Sequence, residues 1–273
     1  MKFGICCGPG SFAPQVEGQA LSALPRLMEG MQEAGADYVE FGVSAVMGSE
    51  EEFAQLQEAL SQFPLNVEAY NSFIPAKHRI TGPDVNLEEV IAYCHTALTR
   101  CKALGGEVVV LGSGAARRVV EGFDREKALQ QFVEFGRALG PVAEEVGIDI
   151  AIEPLNKNED NLINTVRHGA QLVDEIAQPR IQLLADLYHM FTDGESLFSV
   201  TAAGARLRHT HVCDLGRVPP GFASGGEANF KGFFRALKAV GYNGRCSFEG
   251  SSHDLAAQSK PMLDFLKQRF AES

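Results

Sequence analysis

The segment Ile150-Ala151-Ile152-Glu153-Pro154-Leu155-Asn156 is a short apolar run closed by a carboxylate, and Leu183-Leu184-Ala185-Asp186-Leu187-Tyr188-His189 repeats the pattern after one amphipathic stretch. Runs of this kind read as buried strands of a parallel sheet, and the periodic segments between them as crossover helices. Extended in both directions, the pattern gives eight runs: Lys2–Cys6, Tyr38–Phe41, Leu65–Tyr70, Glu107–Leu111, Asp149–Glu153, Ile181–Asp186, Leu207–Val212 and Arg245–Glu249. The clearest helix starts at Asp124, a residue suited to an N-cap, and carries Leu129, Phe132, Val133, Leu139, Val142 and Val146 at spacings of three and four. Pro141 is a candidate kink in it. The first helix is expected to start near Pro25, to bury Leu27, Met28, Met31 and Ala34, and to close at Gly35. Gly105-Gly106, Gly147 and Gly241 punctuate later helix ends in the same way. Eight strand and helix units without a Pro-rich or Ser-rich linker predict one (β/α)₈ barrel, a TIM barrel, over residues 1–273. An open doubly wound sheet is the alternative. Against it, Gly8-Pro9-Gly10-Ser11 after the first run is no G-x-G-x-x-G and leads into no immediate helix.

The composition, 45% hydrophobic and 22% charged over 273 residues, is that of a globular chain. Lys plus Arg number 24 against 35 Asp plus Glu, a net charge of −11, with no basic run, which argues against nucleic acid or an anionic membrane as partner. Gly and Pro interrupt the N-terminus before a secretory apolar core can form, and no apolar run approaches the roughly 20 residues that span a bilayer. Six scattered cysteines contain no C-x-x-C pair. A cytoplasmic, reduced protein is expected.

In a barrel of this type the chemistry sits at the C-terminal strand ends, so a polar residue closing an apolar run is informative. Runs five to eight bring Glu153, Asp186, His211 and Glu249 to that position. A strand-ending acid taken alone also serves as a helix N-cap or an ion-pair partner. Three carboxylates brought together repel unless a cation neutralises them, and three oxygen ligands with one imidazole suit Mn²⁺, Mg²⁺ or Co²⁺.

These residues resemble the xylose isomerase-like barrels, and within them the ketose 3-epimerases of the tagatose/psicose type and the hydroxypyruvate isomerases. The resemblance rests on Glu153-Pro154-Leu155-Asn156 with Glu159, on Asp186-Leu187-Tyr188-His189-Met190, on His211 with Arg217, and on Glu249. It implies one divalent ion held by Glu153, Asp186, His211 and Glu249. It implies that Glu153 and Glu249 also act as the acid/base pair, and that Glu159, His189 and Arg217 hold substrate hydroxyls. The implied activity is isomerisation or epimerisation of a keto sugar or small hydroxyketone through an enediolate, with a homo-oligomer possible. A hydroxypyruvate-type isomerase and a 3-keto-sugar lyase share the same chemistry. An apurinic endonuclease-like barrel and a non-catalytic sugar-binding barrel fit the residues less well. The chain has no Trp, where the sugar epimerases set aromatic platforms against the sugar, so the sugar is left open.

Other residues have plainer readings. His209 shares the parity of His211 and is expected one layer deeper, packed and hydrogen-bonded. His95, His168 and His253 read as surface residues, and Phe230, Phe233 and Phe234 as core. His78 and Glu40 are candidates for the roof and floor of the pocket. Gly112-Ser113-Gly114 reads as a tight turn rather than a phosphate nest, and Arg117-Arg118 as a solvated pair. The loop 217–227 is long for a barrel and is a candidate lid or subunit contact.

Overall fold

The computed structural model describes residues 1–8 and 20–273. Pro9, Gly10 and Ser11 of the first loop lie outside the described residues. Eight parallel strands, β1 (Lys2–Cys7), β2 (Tyr38–Gly42), β3 (Val67–Asn71), β4 (Val108–Leu111), β5 (Asp149–Ile152), β6 (Ile181–Asp186), β7 (Leu207–Val212) and β8 (Arg245–Phe248), pair in chain order, and β8 closes on β1. The expected barrel is therefore present and the open sheet is not. The helices are α1 (Ala20–Glu33), α2 (Glu50–Leu60), α3 (Leu87–Ala103), α4 (Gly114–Arg117), α5 (Arg125–Val146), α6 (Val166–Ile176), α7 (Leu187–Thr192), α8 (Phe198–Ala203), α9 (Phe230–Ala239) and α10 (Leu255–Ala271).

Helix boundaries follow local chemistry. Asp124 caps α5 by accepting the Lys127 N–H, and Gly147 closes that helix at φ 75°, where a side chain would be strained. Pro141 lies inside α5 without ending it. The first helix starts earlier than its proline suggests. It begins at Ala20 and holds Pro25 inside, because Leu24 continues the face of Leu27, Met28 and Met31, and all four are buried. Gly35 follows it at φ 81°, as the sequence leads one to expect.

Two layers of apolar packing hold the barrel. The larger one lies between strands and helices and includes Phe132, Phe230, Phe233 and Phe234. The smaller one fills the interior with Tyr38, Ala69, Val108, Val110, Ala151 and Leu184. Because side chains alternate along a strand, residues two positions further on also face inward, at the C-terminal mouth. For Tyr38, Ala69, Val110, Ala151 and Leu184 those residues are Glu40, Asn71, Gly112, Glu153 and Asp186. On β7 the same parity gives His209 and then His211. This geometry places the site.

Candidate active site

Four strand ends converge as expected. Glu153 and Glu249 each lie one residue past the last ladder position, yet their N–H groups still donate to Leu111 and Val212 of the adjacent strands. Asp186 and His211 are register partners on β6 and β7. His211 Nδ1 is 3.0 Å from Glu153 Oε1, 3.7 Å from Glu249 Oε2 and 4.0 Å from Asp186 Oδ2. Asp186 also caps α7, its Oδ1 accepting the His189 N–H at 2.9 Å, so the cap and the site share one carboxylate.

Two imidazoles approach the carboxylates, and their second nitrogens tell them apart. His189 Nδ1 faces the Asn156 N–H at 3.2 Å and the Asn156 side-chain amide at 2.8 Å. Both are donors, so Nδ1 accepts and Nε2 is left to carry a proton; Nε2 is buried without a partner among the described residues. His189 is thereby a hydrogen-bond donor aimed into the site. His211 is the reverse case, with Nε2 lying 2.9 Å from Glu40 Oε1. A ring whose Nε2–H points at a carboxylate presents the Nδ1 lone pair to a cation.

Glu40 is thus more than a residue of the floor. It is fully buried, and its Oε2 accepts from His209 Nε2 at 2.8 Å and from the Ser247 hydroxyl at 2.5 Å. Ser247 Oγ in turn lies 2.6 Å from the Tyr38 hydroxyl. Burial alone would raise the Glu40 pKa, but His211 and His209 hold it well below the usual carboxylate range. His209 stands edge-on to His211 one layer down, with ring centroids 4.9 Å apart, as its parity implied.

The two glutamates are driven apart electrostatically. Burial tends to raise both. At Glu153, His211, His189 and Arg117 overcome it and the pKa is lowered. At Glu249, burial together with the negative charges of Glu153, Asp186 and Glu40 outweighs His211 and pushes the pKa up to about 7. The two carboxyl groups therefore differ in their hold on a proton.

Around this centre, Glu159 Oε1 accepts from Arg217 Nη1 at 2.8 Å and from Asn156 Nδ2 at 2.9 Å. Arg217 Nη2 reaches Glu249 Oε2 at 3.4 Å, and its guanidinium lies 5.1 Å over the Tyr188 ring. Arg217 sits at φ 61°, an uncommon backbone for a residue with a side chain. The loop carrying it is strapped by Asp214, whose carboxylate accepts from the N–H groups of Leu215, Gly221 and Ala228.

Several plainer expectations are corrected. Arg117 is not solvated: it is fully buried, donating to Asp160 at 2.7 Å and to the carbonyls of Leu111 at 2.9 Å and Glu153 at 2.7 Å. Asp160, itself buried, balances the charge and also accepts three backbone N–H groups. His78, a candidate for the roof, stacks on Tyr93 with centroids 4.7 Å apart and faces Glu89. The turn at Gly112 serves packing. A Cβ there would lie 2.0 Å from Glu153 Oε2, so only glycine leaves room for that carboxylate. Asn71, donating to Glu249 Oε1 at 3.3 Å, had no notice in the sequence.

The donor set fits a divalent cation. Asp186 Oδ2 is buried without a hydrogen-bond partner among the described residues; Asp186 clusters with Glu153, Glu249 and His189, and His211 Nδ1 lies 4.0 Å from its Oδ2. Fold and site together define a (β/α)₈ barrel with a carboxylate-rich centre, a candidate metal site, at its C-terminal mouth. The chain belongs to the xylose isomerase-like TIM barrel family, whose profile matches residues 29–269. Among curated relatives, it is 32% identical over 152 residues to an L-ribulose 3-epimerase of Methylomonas sp. (strain DH-1), covering 48% of this chain and 52% of that one. It is 26% identical to an L-ribulose 3-epimerase of Mesorhizobium japonicum, over 88% of this chain and 80% of that one. The chain spans about half the length of the first curated relatives it matches. A crystal structure of D-allulose 3-epimerase from Methylomonas sp. in complex with D-allulose superposes with a TM-score of 0.84 at 24% identity, covering 98% of this chain and 97% of that one. No helix among the described residues is long and apolar enough to cross a membrane.

Proposed function

We propose that this protein is a divalent-metal-dependent epimerase or isomerase of a keto sugar, with Glu153, Asp186, His211 and Glu249 as ligands. The observation that carries the reading is the convergence of three carboxylates within 4.0 Å of His211 Nδ1, with that nitrogen selected by Glu40 on the far side of the ring. The names of the L-ribulose 3-epimerases above support a ketose as substrate. A reducing, cytoplasmic setting accords with six free cysteines.

Inverting a carbon beside a carbonyl requires a base on one face and an acid on the other, with charge building on the carbonyl oxygen between them. Glu153 removes the proton, and Glu249 returns one from the opposite face. His189 donates its Nε2–H to the oxygen on which charge develops. Arg217 and Glu159 fix one another and grip substrate hydroxyls, and Arg217 also restrains Glu249. A bound divalent ion supplies Lewis-acid polarisation of the carbonyl. An aldose–ketose isomerase would use the same groups on an adjacent pair of carbons.

The test is a panel of free keto sugars and their phosphates with Mn²⁺, before and after chelation. Turnover of a free ketose that vanishes with chelator and returns with Mn²⁺ supports the proposal; metal-independent turnover, or none across the panel, sinks it. Metal analysis of Asp186→Asn adds a second check, since near-stoichiometric metal retained in that variant would remove Asp186 from the ligand set.

A further inference from the structure

Asn71 ends β3 on the inward parity of Ala69, two residues below it. Its side-chain amide donates to Glu249 Oε1 at 3.3 Å. The other oxygen of that carboxylate, Oε2, lies 3.4 Å from Arg217 Nη2 and 3.7 Å from His211 Nδ1.

The three carboxylates are not held equally. Asp186 is fixed by the backbone N–H of His189 and is 1% exposed. Glu153 is wedged between His211 and the bare Cα of Gly112. The Glu249 side chain is the most open, at 21%, and its hydrogen bonds come from two side chains, Asn71 and Arg217. Arg217 is shared with Glu159, at the shorter distance of 2.8 Å, and belongs to a loop. Asn71 is anchored in the barrel wall, paired in register with Gly42 of β2. The chain turns immediately after it through Ser72 at φ 52°, a costly conformation that concentrates at functional sites. Beyond the turn the segment is tied down, with the Ile74 N–H on Ser113 Oγ at 2.8 Å and the Tyr93 hydroxyl on the Phe73 carbonyl at 2.9 Å.

We infer that Asn71 is a positioning residue for Glu249: it holds Oε1 against the barrel wall and so turns Oε2 toward His211 Nδ1 and the centre of the site. This assignment rests on the reading of Glu249 as ligand and acid/base group. A carboxylate that must both hold a cation and deliver a proton loses on both counts when it is free to rotate.

The experiment titrates metal-free protein with Mn²⁺ by calorimetry and measures ketose turnover for wild type, Asn71→Leu and Asn71→Ala. Leu keeps the bulk of Asn and removes the donor; Ala covers the case in which Leu does not fold. The expected result is a Mn²⁺ dissociation constant raised about tenfold in both variants, on the scale of losing an outer-sphere partner. With Mn²⁺ saturating, kcat should fall while KM stays within about threefold, since Asn71 acts through Glu249 rather than on substrate. Wild-type Mn²⁺ affinity in Asn71→Leu would show that the residue only fills space, and overturns the assignment. A wild type that turns over no keto sugar, with Mn²⁺ binding still weakened in Asn71→Leu, discards the ketose reading and keeps the role of Asn71. A wild type that binds no Mn²⁺ overturns both.

Discussion

Glu40 Oε1 lies 2.9 Å from His211 Nε2, and this contact on the buried side of the ring determines which nitrogen faces the three carboxylates. Replacing Glu40 by Gln tests it, because the amide offers one acceptor oxygen where the carboxylate serves donors on both. His209 and Ser247 donate to Oε2 and His211 to Oε1, so an NH₂ group on either side meets a donor. Glu40→Gln is expected to weaken Mn²⁺ binding by about 10- to 100-fold with the fold retained. Calorimetry on metal-free protein reads this directly, and unchanged affinity would mean that His211 does not depend on Glu40 for its orientation.

Gly112 and Glu153 make the tightest steric demand of the site. A methyl at position 112 would sit 2.0 Å from Glu153 Oε2, so Gly112→Ala must push the carboxylate aside. With a displacement on the order of 1 Å, kcat should fall about 10²-fold while the circular dichroism spectrum and the melting transition change little. Near-normal kcat would show that Glu153 has room to work from another position.

Arg117 and Asp160 form a fully buried pair behind the Glu153 backbone. Removing one partner leaves an uncompensated charge inside the protein, so Arg117→Met or Asp160→Leu alone should cost about 3–5 kcal/mol of unfolding free energy. The double variant should cost less than the sum of the two. Denaturant titration of the four proteins gives the cycle, and strict additivity would mean that the pair carries no coupling.

These residues also mark where the sequence stops being readable. The barrel, its eight strands and the four strand ends are legible because short apolar runs, the amphipathic stretches between them and the polar residues that close the runs are local signals. Arg117 reads as a solvated residue in Ala-Ala-Arg-Arg because its partner, Asp160, lies 43 positions away and only the tertiary fold brings the two together. Glu40 meets His211 across 171 positions, for the same reason. Asn71 was within reach of a local rule: counting by two from Ala69 puts it inward at the barrel mouth. The apolar run itself stops at Tyr70, one residue short of the strand's end. At the first helix a local rule misled, since the preference of proline for a first turn was outweighed by the burial of Leu24 on the core face.

Glu153 and Glu249 stand on strands three apart around the barrel, and their pKa values are moved in opposite directions, one lowered and the other raised to about 7. If they address opposite faces of a ketose, the proton taken by one is not the proton returned by the other. Turnover in heavy water should then place solvent deuterium at the inverted carbon in each product molecule. A single base working along one face would carry part of the original hydrogen across, and a hydride shift would carry all of it. Glu153→Gln and Glu249→Gln should each stop net turnover. Because both residues also belong to the proposed ligand set, lost activity identifies a base only where metal occupancy is retained. In such a variant the remaining glutamate can still remove and restore a proton on its own face, so the substrate epimer facing it should exchange with solvent while the other does not. Exchange from both epimers in one variant, or wild-type product free of solvent deuterium, rules out the two-base assignment and points to an isomerase that moves hydride.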